Sequence, residues 1–129
     1  MITVYLLTVY LPLRTVSTLN TREHWSKRAR RAAEHRALAR MALPAYLRAA
    51  RLELPMQVTL IRVAPRALDP GDNLPASMKG VRDGVADALG VDDRTPLVTW
   101  VYRQRRGKPR EYGVEIVVEK RIDPACDRV

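Results

Sequence analysis

Four short runs rich in Val, Ile, Leu and Tyr constrain the fold of this chain most strongly. Helix-like segments separate the first three runs, and a short turn separates the last two. The runs cover residues 2–11, 56–64, 97–104 and 111–120. Runs of this length that hold β-branched residues and end at proline or a turn are typical of strands. The order predicts one α+β domain, β-α-β-α-β-β, in which a mixed or antiparallel sheet packs with helices. Gly107 and Pro109, in residues 105–110, predict a hairpin between the last two strands.

The first helix is expected over residues 21–43, because Asn20 lies three residues before Glu23 in a capping-box pattern. Pro44 is expected to end it, and residues 45–51 to add at most one further turn. Its thin apolar stripe is predicted to include five residues: Trp25, Ala29, Ala32, Ala39 and Leu43.

The second helix is expected over residues 73–89, with Gly90 ending it. Its buried face is marked by residues at helical spacing, Met78, Val81, Val85 and Leu89. We expect the domain to span residues 1–121 and residues 122–129 to form a tail.

The chain is strongly basic, with 23 Lys and Arg against 14 Asp and Glu and a net charge of +9 over 129 residues. Such an excess predicts a polyanionic partner, either nucleic acid or a membrane surface. The helices lack a broad apolar face opposite their charges, which favours nucleic acid. The proposed nucleic-acid contacts are Lys27, Arg28, Arg30, Arg31, Arg103, Arg105 and Arg106.

The compartment is expected to be the cytoplasm. Cys126 is the single cysteine, so no intrachain disulfide can form. Residues 1–13 alternate like a strand and lack the basic start and cleavage site of a signal peptide. No run approaches the roughly 20 apolar residues that span a bilayer.

An acidic window in this basic chain points to cation chemistry. It holds Asp69, Asp72, Asp83, Asp87, Asp92 and Asp93. Phosphodiester cleavage needs an activated water and a neutralised phosphate charge, and Mg²⁺ held by carboxylates supplies both. Lys79 lies near two turns after Asp72 and one turn before Asp83, on nearly the same helix face. A lysine placed there could touch the scissile phosphate.

Each of these residues also has a purely structural interpretation. Asp72 could cap the second helix, and Lys79 with Asp83 could form a solvated surface pair. Asp92 and Asp93 fit an ordinary turn. Trp25 and Trp100 are expected in the core. His24 and His35 are expected at the surface or in contact with phosphate.

Residues 68–93, LDPGDNLPASMKGVRDGVADALGVDD, resemble the central motif of the RusA-type Holliday-junction resolvases. That motif has an Asp before an Asp-Asn pair, then a Lys, an Asp one turn later and an Asp-Asp pair. The segments STLNTREHWSKRARRAAEHR and WVYRQRRGKPREYGVEI are similar to phage and prophage members, so the resemblance covers most of the chain.

The resemblance implies a homodimeric endodeoxyribonuclease that depends on Mg²⁺, with Mn²⁺ as the alternative metal, and nicks four-way DNA junctions. It places the metal-binding and catalytic carboxylates on Asp69, Asp72 and Asp93, and the catalytic lysine on Lys79. In the family pattern the first acid lies two residues before the second. Here the residue two before Asp72 is Pro70, and the nearest acid is Asp69. Either Asp69 fills that role through a longer loop or the site is impaired.

The sequence is therefore compatible with two classes of function. The first is a metal-dependent nuclease for branched DNA, with DNA recombination or repair as its setting. The second is a non-catalytic DNA- or RNA-binding module, an inactive prophage remnant, and the Pro70 departure favours it. Binding without cleavage in any divalent metal would distinguish the second from the first.

Overall fold

A computed structural model of the chain describes residues 6–16, 24–50 and 52–121. The elements in chain order are β1 (Leu6–Leu11), α1 (Trp25–Ala50), β2 (Met56–Ala64), α2 (Asn73–Ser77), α3 (Lys79–Leu89), β3 (Val98–Arg106) and β4 (Gly113–Lys120). The predicted α+β class and the order of strands and helices are confirmed, with the second helix divided in two at Met78. The predicted capping box Asn20–Glu23 and the tail 122–129 lie outside the described residues.

The four strands form one mixed sheet in the order β1-β4-β2-β3. Strand β4 is antiparallel to β1 and to β2, whereas β3 is parallel to β2. The predicted β3–β4 hairpin is therefore wrong. The buried pattern explains the difference: Val114 and Ile116 of β4 are fully buried, which suits a central strand, while the second half of β3 is polar and suits an edge.

One face of the sheet carries the hydrophobic core under the helices. Side chains at the centre of this face, Val58, Leu60, Ile116 and Val118, have no exposed surface. The predicted buried stripe of the second helix is confirmed, since Met78, Val81 and Val85 are fully buried and Leu89 packs against the same cluster. Gly90 ends α3 in the left-handed conformation, with a φ of 70°.

Helix α1 continues through Pro44, so the prediction that Pro44 ends it is wrong. Proline inside a helix costs about 3 kcal/mol because a hydrogen bond is lost and the ring clashes with the preceding turn. The continuation brings Leu47 and Ala50 against the core that Leu43 already enters. Burial of those side chains offsets the local cost, as tertiary packing commonly overrides propensity.

Helices α1 and α3 cross in close contact because α3 presents glycines to α1. A Cβ at Gly80 would lie 2.5 Å from the main-chain oxygen of Ala32, and one at Gly84 would overlap the main-chain oxygen of Arg36. The ion pair between Arg36 and Asp87 closes the same contact, with Nε–Oδ2 at 2.6 Å and Nη2–Oδ1 at 2.9 Å. This bidentate geometry fixes the position of α3 relative to α1.

The first turns of α1 are less buried than the predicted stripe requires. Trp25 is 69% exposed and stacks beside His24, so its assignment to the core is wrong, and Ala29 is exposed. The stripe is buried only from His35 onward, where α1 passes over α3. His35, expected at the surface or against phosphate, is 6% exposed. Of the described helices, none has the length and apolar character that crossing a membrane requires.

Candidate functional site

Asp69 and Asp72 lie together on the exposed loop between β2 and α2. The Oδ2 of Asp69 accepts a 3.0 Å hydrogen bond from the main-chain N–H of Asp72. The main-chain oxygen of Asp69 accepts another from Leu74, at 2.9 Å. Both aspartates are exposed. The loop thus folds the Asp69 carboxylate back onto the main chain of Asp72, across Pro70 and Gly71, so that both aspartates belong to one turn despite the longer spacing.

Asp72 occupies the position before α2, yet its side chain makes no capping hydrogen bond. The capping interpretation of its carboxylate is therefore wrong, and Asp69 provides the bond to the main chain at this turn instead. An exposed carboxylate that does not cap its helix is available for a ligand. Oxygen donors of this kind are those that Mg²⁺ prefers.

Lys79 begins α3 and is directed mainly into solvent. Its Nζ lies 3.8 Å from Oδ2 of Asp83, and its side chain is 78% exposed. That geometry matches the solvated surface pair, which contributes little to stability. Lys79 also lines a cavity of about 310 Å³ between α1 and the α2–α3 segment, together with Arg28 and His35. The structure therefore brings the predicted lysine and one predicted phosphate contact of α1 to one groove.

Asp93 lies beyond the carboxyl end of α3, in contact with the sheet. Its main-chain oxygen accepts hydrogen bonds from Nη2 of Arg82 at 2.9 Å and from Nε1 of Trp100 at 3.1 Å. Its carboxylate stands 3.7 Å from Nε of Arg82, with the side chain 40% exposed. Asp92 has the turn role: its Oδ1 accepts the main-chain N–H of Arg94, and that bond holds the pKa of Asp92 below its usual value.

The three predicted metal ligands do not form one cluster. Asp93 lines an open cavity of about 250 Å³ with Asp83, Asp87 and Asp92, and neither Asp69 nor Asp72 belongs to that lining. Within the described ranges, no group of three His, Cys, Asp or Glu side chains is arranged to hold a metal ion. The Asp69–Asp72 pair fits the donor chemistry of Mg²⁺, which is commonly held by one or two carboxylates with water and substrate phosphate.

The predicted nucleic-acid contacts fall on two surfaces. Lys27, Arg28 and Arg30 are exposed on the first turns of α1, and Arg31 is half-buried beside them. Arg103, Arg105 and Arg106 are exposed at the end of β3. Arg105 is also paired with Glu115 at 2.6 Å, and this bond raises its pKa above the usual value.

Two arginines with distinctive contacts were not among the residues predicted from the sequence. Arg82 stacks on Trp100 at 4.7 Å from the ring centre and donates from Nη1 to the hydroxyl of Tyr102 at 2.8 Å. Arg62 is 6% exposed on β2, among core residues. A signal for Arg62 existed in the sequence, because it is the one charged residue in the apolar run MQVTLIRVA. No comparable local pattern marks Arg82, whose partners are distant in the chain.

Comparison with known proteins adds one similarity. The chain is 39% identical over 94 residues to an uncharacterized protein of Xylella fastidiosa (strain Temecula1 / ATCC 700964), an alignment that covers 68% of this chain. The match spans 60% of the length of that relative. No family model matches the chain.

Proposed function

We propose that this chain is a metal-dependent endodeoxyribonuclease that cuts branched DNA, as the RusA-type resolvases that its central motif resembles do. The observation that carries the proposal is the Asp69–Asp72 pair. Both aspartates are exposed on one turn, the main-chain N–H of Asp72 donates to the Asp69 carboxylate, and the Asp72 side chain makes no capping bond. Solvated carboxylates on a chain with a net charge of +9 favour a cation–phosphate role.

Asp69 and Asp72 are the residues proposed to hold Mg²⁺ or Mn²⁺. When bound, such an ion activates water and neutralises charge on the phosphate. Lys79, exposed on the first turn of α3 just beyond α2, is proposed to contact the scissile phosphate. Asp93 is the third carboxylate that the resemblance implies. Its main-chain oxygen accepts hydrogen bonds from Arg82 and Trp100.

The basic residues supply the affinity for DNA in this proposal. Lys27 and Arg30 are exposed on the first turns of α1, and Arg28 lines the same groove as Lys79. These residues are proposed to form the positive surface that contacts DNA. Phosphate contacts of this type bind DNA without reading its sequence. A homodimer would present two such sites in symmetric relation, as paired nicks across a four-way junction require.

The test compares a synthetic four-way junction with a linear duplex of the same sequences, in Mg²⁺ or EDTA. The wild-type chain is expected to nick the junction symmetrically in Mg²⁺ alone. Asp72→Asn is expected to lose cleavage and to bind the junction as tightly or more tightly, because it removes a ligand and a negative charge. Glu53→Gln, an exposed acid just before β2, is the matched control and should cleave normally.

A second candidate, the non-catalytic nucleic-acid-binding module, is favoured by a specific observation. Among the residues that the structure describes, no three acidic or histidine side chains are grouped for a metal. Tight junction binding without nicks in Mg²⁺ or Mn²⁺, by wild type and Asp72→Asn alike, would support this module and overturn the nuclease.

A further inference from the structure

Arg62 is a buried arginine near the carboxyl end of the apolar strand β2. It is 6% exposed, and burial lowers its pKa from the usual value. Its Nε donates to Oγ1 of Thr15 at 2.8 Å, and its Nη1 donates to the main-chain oxygen of Arg66 at 2.6 Å. Both partners are neutral. Across the described ranges, no carboxylate forms an ion pair with Arg62, so a costly buried charge lacks a counter-charge from this part of the chain.

Arg62 also lines a cavity of about 460 Å³ at the carboxyl ends of β2 and β3. The parallel register sets Ala64 beside Arg106, so the two strands finish together there. Arg66, Arg105 and Arg106 also line the cavity. The charge of Arg105 is offset by its ion pair with Glu115, and the other arginines leave the cavity strongly positive. A concave site of this volume falls within the range of small-ligand sites.

We propose that this cavity binds a phosphate group, with Arg62 as its buried anchor and Arg66 and Arg106 at its rim. Arginine suits this role because its planar fork of N–H groups matches phosphate oxygens. Two of the five N–H groups of Arg62 are used by Thr15 and Arg66, which leaves donors for a ligand. A bound phosphate would supply the counter-charge that the described fold does not.

The location relates this site to the proposed function, on which its assignment to a DNA phosphate rests. Gln104, in the cavity lining, donates to the main-chain oxygen of Leu68 at 2.8 Å and accepts from its main-chain N–H at 2.9 Å. The next residue is Asp69. The cavity wall is thus tied to the loop that carries the Asp69–Asp72 pair, so a phosphodiester held by Arg62 would set a neighbouring DNA linkage near those carboxylates.

The first experiment measures binding of inorganic phosphate to the full chain by NMR titration, at constant ionic strength with chloride as the reference. The Gln104 side-chain amide is the reporter. Arg66→Gln changes an exposed residue, so its effect does not depend on core packing. Arg62→Lys keeps the buried charge and removes the fork. Arg48→Gln, an exposed arginine near the end of α1 and the amino end of β2, is the charge-matched control.

Wild type and Arg48→Gln are expected to bind phosphate equally, with Gln104 shifting on titration. Arg66→Gln and Arg62→Lys are expected to bind roughly tenfold more weakly, the scale of one charge-assisted hydrogen bond. Equal phosphate affinity in Arg66→Gln, Arg62→Lys and Arg48→Gln, or a Gln104 signal that does not move, would overturn the proposal.

A second arm titrates a short single-stranded oligonucleotide, which separates a phosphodiester ligand from free phosphate. The oligonucleotide is expected to shift Gln104 and to compete with inorganic phosphate. If inorganic phosphate binds but the oligonucleotide neither shifts Gln104 nor competes with it, the assignment to a DNA phosphate is overturned. If wild type binds both probes here but never nicks a junction, the proposed nuclease fails and the phosphate site stands. If junctions are nicked and Gln104 never responds, the site fails alone.

Discussion

The carboxylate of Asp69 accepts a 3.0 Å hydrogen bond from the main-chain N–H of Asp72, so the first acid of the motif supports the backbone that presents the second. This arrangement assigns the two residues different duties. The Asp69 side chain holds the main chain of the turn, whereas the Asp72 side chain makes no capping hydrogen bond. Their substitutions should therefore differ in their effect on stability.

Asp69→Ala is expected to lower the free energy of unfolding by about 0.5–2 kcal/mol, the cost of losing a cap-type acceptor. Asp72→Ala should stay within about 0.5 kcal/mol of wild type, as surface changes usually do. Urea unfolding followed by circular dichroism measures both. Equal losses in the two variants would contradict the division of roles.

Gly84→Ala tests the contact between α1 and α3. Helix propensity alone predicts that the change stabilises, by about 0.5–1 kcal/mol. The added Cβ would overlap the main-chain oxygen of Arg36 and approach the Cβ of Ala39 to 2.7 Å, so the helices must separate. We expect a net loss of about 1–3 kcal/mol. The sign of the change in urea midpoint decides between the two.

The local pattern predicted most of the fold. Residues 56–64 form β2 with the expected bounds, and the buried stripe of α3 follows its 3.6-residue period. The hairpin prediction was wrong because strand pairing depends on burial across the whole sheet, which a local pattern does not contain. Pro44 failed for a related reason: the packing of Leu47 on the core outweighs a local penalty.

The candidate site was predictable only in part. The carboxylates and Lys79 are marked by residue type and spacing within one loop–helix segment. Arg82 contacts Trp100 and Asp93, on the other side of a long turn, so only the folded chain reveals its role. Arg62 was visible as a charge in an apolar strand, but its cavity is assembled from β2, β3 and the loop after β2.

The stability of the fold should depend on pH through His35. Burial lowers the pKa of this buried histidine below 6.5, and Arg31 lowers it further. The unfolded chain therefore takes up the proton first as pH falls. The stabilisation is complete above pH 6.5 and is lost as the pH drops toward the lowered pKa of the folded state.

Urea midpoints between about pH 7.5 and pH 5 measure this effect. Wild type should lose stability over that interval, and His35→Gln should show a flatter profile. His24→Gln changes an exposed histidine and should keep the wild-type slope. A fall of equal size in His35→Gln would assign the pH dependence to other groups.

Binding to a four-way junction should weaken steeply with salt if α1 contacts phosphates. Each phosphate contact contributes about 0.9 to the slope of log K against log salt. The double variant Lys27→Gln with Arg30→Gln removes two exposed charges and should reduce the slope by about 2. Fluorescence anisotropy from about 50 to 200 mM salt measures it. Arg48→Gln, on the last turn of the same helix, should leave the slope unchanged.

Arg82 links Asp93 to the sheet, and Arg82→Lys should release that link. Lysine keeps the charge but cannot reach Tyr102 and Asp93 together in the geometry of a guanidinium. We expect a loss of about 1.5–3 kcal/mol, the range for hydrogen bonds to a charged group. Trp100 reports the change directly in a Trp25→Tyr background, since the chain has two tryptophans.

The fluorescence of Trp100 should shift on Arg82→Lys, because the ring loses the stacked cation. The control Lys79→Arg changes an exposed residue of α3 and should not alter the emission. An unshifted emission with unchanged stability would mean that Arg82 does not hold Asp93 in place.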